Sequence, residues 1–134
     1  MKKFGFSIIF LFSLLVFFAF QAENPLKKTE WNLVNARDSS DKPLKISGNY
    51  QFNFKTKKIL EISINGNQCI DAFYNLGYDN RINLSGDMSL NVECTNNELT
   101  TFTNLIQQKG QYILQEDELN INFLNGASIM LKRS

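Results

Sequence analysis

Two cysteines, 13 carboxylates and no histidine bound the chemistry open to this chain of 134 residues. Without histidine, the serine-histidine and cysteine-histidine nucleophile arrangements are excluded, as are the usual zinc sites. Cys69 and Cys94 belong to no CxxC pair, and no histidine stands by to lower a thiol pKa. In a chain that opens with an export-type segment they read as one disulfide. Closing a loop of that size stabilises a fold by roughly 3 to 4 kcal/mol in the chain-entropy model. A redox-active pair is the alternative reading. Ser47 and Lys45 are close enough in sequence for a serine-lysine pair, but they point the same way on any strand in a stretch dominated by turn residues. Glu116, Asp117 and Glu118 cluster, while Asp71, Asp79 and Asp87 are spread over the middle of the chain. Glycosidase chemistry needs two carboxyls facing each other about 5 to 10 Å apart, which neighbours in a hairpin turn do not deliver. The acidic turn also lacks the ligand spacing of a calcium loop. Neither Gly66 nor Gly86 belongs to a phosphate-binding loop. The expectation is a protein that is not an enzyme, with no metal and no cofactor.

What remains is binding. Phe73, Tyr74 and Tyr78 form an aromatic cluster close to Cys69, a candidate contact surface, with sheet core as the competing reading. The lysine groups Lys27 with Lys28 and Lys55 with Lys57 and Lys58 are short and interrupted, so no nucleic-acid partner is expected. The whole chain carries a net charge of +1, and removing a leader that holds Lys2 and Lys3 tips the balance slightly acidic.

The elements that must position these residues are short strands and one helix. Tyr50, Phe52 and Phe54 alternate with polar residues, and so do Leu60, Ile62 and Ile64, with a lysine-rich link short enough for a hairpin. Asn65 and Gly66 turn the chain towards Cys69. Ile82 with Leu84 begins a further strand, Gly86 and Asp87 interrupt it, and Met88, Leu90 and Val92 alternate up to Cys94. Thr95 and Glu98 have the spacing of a capping box. Leu99, Phe102, Leu105 and Ile106 fall on one face of the helix that follows, with Lys109 suited to its carbonyl end and Gly110 to the left-handed turn that stops it. Tyr112 with Leu114, then Leu119, Ile121 and Phe123, then Ile129 and Leu131, read as three closing strands. The class is α+β: a curved antiparallel sheet or small barrel of about eight strands packed by one helix.

Residues 1–22 read as a signal peptide, with a basic head and an apolar run from Phe4 to Phe20 that holds seven of the 12 phenylalanines. Cleavage is expected after Ala22. The alternative is an uncleaved inner-membrane anchor formed by residues 4–20, at the lower limit for spanning a bilayer. Residues 23–30 read as a tether and residues 31–134 as one domain, beginning at the strand of Trp31 and Leu33.

The order of features is itself distinctive: Trp31 and Leu33, then Asp41, Lys42 and Pro43, then a strand pair into Asn65, Gly66 and Cys69. Cys94, Asn96, Leu99, the helix and three strands through Leu131 complete it. This arrangement is similar to the META domain family, which includes the HslJ-like heat-shock proteins, over nearly all of the chain from Trp31 to Lys132. Two places differ, Ile70 where the family commonly has asparagine after the first cysteine, and Leu90 to Glu93 in place of its threonine and methionine. The resemblance implies an exported, periplasmic or secreted, stress-associated protein of the cell envelope, monomeric, acting by binding another envelope protein or ligand, with no residue-level active site to carry over. The alternative is a small-molecule carrier with its ligand inside the barrel.

Overall fold

The computed structural model describes residues 24–90, 94 and 96–134. The leader expected over residues 1–22, together with Val92 and Thr95, lies outside the described residues, as do the side chains of 86–90. Eight strands run in chain order around a closed barrel: β1 (Thr29–Arg37), β2 (Tyr50–Phe54), β3 (Ile59–Ile64), β4 (Asn67–Leu76), β5 (Arg81–Leu90), β6 (Lys109–Gln115), β7 (Glu118–Phe123) and β8 (Ser128–Arg133). Every neighbouring pair is antiparallel, and β1 closes on β8. The single helix α1 (Asn97–Ile106) sits in the connection from β5 to β6. The expected α+β barrel of about eight strands and one helix is the observed fold.

Alternation along each strand sends one set of side chains inward. Trp31, Phe52, Phe54, Leu60, Ile62, Ile70, Leu84, Leu119, Ile121 and Leu131 are wholly or almost wholly buried. Helix α1 adds Leu99, Phe102 and Ile106 to this core, with the Phe102 ring edge-on to Tyr50 at 5.0 Å and to Phe52 at 6.1 Å. The interior is therefore filled by side chains from both walls and by the helix that closes one end. At the other end of the β1–β8 seam the Arg133 guanidinium lies over the Trp31 ring, 4.6 Å from its centre.

Four expectations need correction. Residues 24–30 are not a tether: Leu26 is wholly buried, Thr29 and Glu30 are already on β1, and the Asn24 amide donates to the Tyr74 hydroxyl. An isolated apolar residue beside Pro25 gave no periodicity to reveal this. β5 is one strand rather than two, because Gly86 and Asp87 sit at an irregularity where residues 86–88 face Ala72 alone, between the pairs Phe73↔Ser85 and Asp71↔Ser89. The helix is capped one residue later than expected: Asn96, extended at φ −154°, accepts from the Leu99 amide at 2.8 Å, and Glu98 is directed elsewhere. Finally, the helix ends at Gln107 through a bond from its amide to the Thr103 carbonyl, so Lys109 and Gly110 are not its cap but the first residues of β6. There Gly110 is required by contact, since a Cβ would lie 2.5 Å from the Asn122 carbonyl oxygen.

Candidate functional site

Cys69 and Cys94 form a disulfide, with Cα atoms 5.6 Å apart. A bulge aims the first cysteine. Ile62 pairs with Ile70 but Ser63 pairs with Gln68, so Cys69 is the extra residue of β4, and it is buried beside Ile70 instead of alternating with it. The bridge fastens β4 to the chain entering α1. A small cavity of about 230 Å³ lies against it, with Ser47, Tyr50, Asn65, Asn96 and Glu98 on its walls.

Glu98 is held by donors from distant parts of the chain. Its Oε1 accepts from the Ser47 amide at 2.8 Å and from the Tyr50 hydroxyl at 2.9 Å, tying the 38–49 loop and β2 to the first turn of the helix. Burial alone would raise its pKa, but these donors and the Lys45 ammonium together hold the carboxyl below its ordinary range. Burial, reinforced by the same carboxylate, pushes the Tyr50 hydroxyl far above its ordinary value. A tyrosine locked neutral and a carboxylate already engaged by two donors make a clamp, not a nucleophile and base. Ser47 engages Glu98 through both its backbone amide and its hydroxyl, which leaves the serine-lysine pairing with Lys45 without a hydrogen bond to support it. Among the described residues, no three acidic or cysteine side chains converge as metal ligands, the Glu116 to Glu118 turn included.

The aromatic cluster does not form one surface. On β4, Ala72 and Tyr74 face inward and Phe73 faces out, as alternation requires. Tyr74 is 2% exposed, edge-on to Phe54 at 4.9 Å, with its hydroxyl bonded to the Thr56 carbonyl, so it belongs to the core and not to a contact surface. Phe73 is 51% exposed and pairs with Ile59, another exposed apolar residue, on the outer wall. Tyr78 is 87% exposed in the β4–β5 turn. Four residues lie between Phe73 and Tyr78, five steps that span roughly 16 Å when extended.

Sequence reading missed a cleft on the outer wall. A cleft of about 820 Å³ crosses β4 to β7 where β5 and β6 pair over only Arg81 to Asn83. Its polar side chains are Asn75, Arg81, Asn83, Lys109, Gln111 and Asn122. The signal was present in the polar half of each strand's alternation, but polar alternation reads simply as a solvated face until the register lines the strands up.

The structure is thus a meander barrel with a plugged end and an outer-wall cleft. It is similar to the NMR structure of a protein from Burkholderia xenovorans, with a TM-score of 0.60 and 12% sequence identity over 81% of this chain and 83% of that one. At that identity the likeness is one of fold. No protein-family model and no curated protein matches the chain.

Proposed function

We propose that this chain is an exported, non-enzymatic envelope protein of the META and HslJ-like type, stress-associated and monomeric, that acts by binding another envelope component through the outside of its barrel. The filled interior carries this reading. Trp31, Phe52, Phe54, Phe102 and Leu131 occupy the space in which a carrier would hold its ligand, so a partner has to be met on the outer wall. The disulfide supports a site of action in an oxidising compartment, of which the periplasm or the extracellular space is the one proposed. Among the described residues no helix is long and apolar enough to cross a membrane.

Phe73, exposed beside Ile59, marks the contact surface. A photo-crosslinking amino acid placed at Phe73 in living cells is expected to give a discrete adduct, and the same probe at Ile113, exposed on β6, is not. Equal labelling at both positions, or none at Phe73, would remove the contact surface. Intact mass of the envelope fraction checks the compartment: a chain starting near Glu23, two hydrogens lighter before reduction, is the expected species.

A further inference from the structure

We propose that the outer-wall cleft binds an acidic oligosaccharide, a sugar chain bearing carboxylates, a reading that rests on the outer-wall binding proposed above. Register builds the site in two transverse rows. Asn75 pairs with Asn83, Asn83 with Lys109, and the Lys109 carbonyl accepts from the amide of Leu124. One step along, the Gly77 amide meets the Arg81 carbonyl, Arg81 pairs with Gln111, and Gln111 with Asn122. Neighbouring strands stand about 4.8 Å apart and the rows about 7 Å apart, so polar side chains recur at intervals comparable to one pyranose unit.

The chemistry of that grid selects the ligand. Asn75, Asn83, Gln111 and Asn122 make no side-chain hydrogen bond among the described residues, and each amide offers a donor and an acceptor in one plane, the pattern that matches vicinal hydroxyls. Arg81 and Lys109 stand diagonally across β5 and β6, and neither joins an ion pair among the described residues. The cleft holds no carboxylate. Two cations suit a scattered acidic group on a sugar and fall short of the continuous basic stripe that a nucleic acid requires. Tyr78, next in the chain to Gly77 at the cleft edge, presents an exposed ring on which a sugar face can stack. Phe73 lies one row further along the same wall, opposite Ser85, so the cleft and the apolar contact surface are continuous.

The test is an NMR titration of the oxidised protein, purified from the envelope, with oligogalacturonate, its neutral methyl ester and inorganic phosphate. The expected result is shift changes in the Asn75, Asn83, Gln111 and Asn122 side-chain amides with oligogalacturonate, weaker changes with the ester and none with phosphate. Arg81→Gln and Lys109→Gln should each weaken binding about tenfold, the scale of one hydrogen bond to a charged group. Asn83→Ala should weaken it with both the acid and the ester. Shifts confined to other faces, binding unchanged in the variants, or an equal response to phosphate would overturn the site. Should oligogalacturonate fail while the Phe73 adduct persists in Arg81→Gln, the cleft assignment falls and outer-wall binding stands. Loss of the Phe73 adduct with the titration intact removes the apolar contact surface and leaves the cleft standing.

Discussion

Glu98 joins three parts of the chain through one oxygen atom, and that ties this clamp to the ionisation of one carboxylate. Its folded pKa lies below the unfolded value of 4.5, so its stabilisation is complete above that pH and is lost as the pH falls through the folded value. Glu98→Gln should therefore shrink the difference in urea midpoint between pH 6 and about pH 3. A difference of the same size in the variant would assign the acid sensitivity to other carboxylates. In the sequence this residue looked like half of a capping box, because spacing reports only local partners. Its actual donors, Ser47 and Tyr50, are 51 and 48 positions away. Tyr74 and Phe73 carry the same lesson in reverse. Alternation alone separates them, yet the mixed pattern from Ile70 to Tyr78 hid the phase because the bulge at Cys69 places two successive residues inward.

At the scale of elements, the strands with clean alternation were legible and the junctions were not. β2, β3, β7 and β8 follow their apolar residues, whereas β1 has its register shifted at Val34 and β5 passes through an irregularity that looked like a break. Bulges change the period in one strand only, so they become readable once a partner is known. The start of β6 is the sharpest case. Gly110 looked like a helix stop but answers to the Asn122 carbonyl on β7, a contact across the sheet that no local pattern encodes. Gly110→Ala is expected to cost roughly 1 to 3 kcal/mol, as overpacking against backbone does, and to lower the melting temperature. An unchanged melting curve would mean that β6 and β7 separate there without cost. The same change would widen the floor of the outer-wall cleft, so its effect on ligand binding should be read only after the melt.

For the molecule as a whole, the filled barrel buries three tyrosines, Tyr50, Tyr74 and Tyr112, whose hydroxyls burial pushes above their ordinary value of 10.0. A raised folded pKa means that their stabilisation is complete below pH 10 and is lost as the pH rises through the folded values. Denaturant midpoints should therefore hold steady up to about pH 10 and then fall, with tyrosinate absorbance of a Tyr78→Phe variant, which lacks the exposed ring, appearing at the same transition. Tyrosinate appearing well before unfolding in that variant would show the three rings to be in contact with water. The closure of β1 on β8 has a mechanical consequence. The start of β1 and the end of β8 lie side by side, where Trp31 pairs with Arg133 and the Ser134 amide reaches the Glu30 carbonyl. Antiparallel ladder bonds run across the strands, so tension between the two ends of the barrel loads one rung at a time. The seam then unzips from the Arg133 and Trp31 end, and a processive motor gripping the tail meets little resistance despite the wholly buried core.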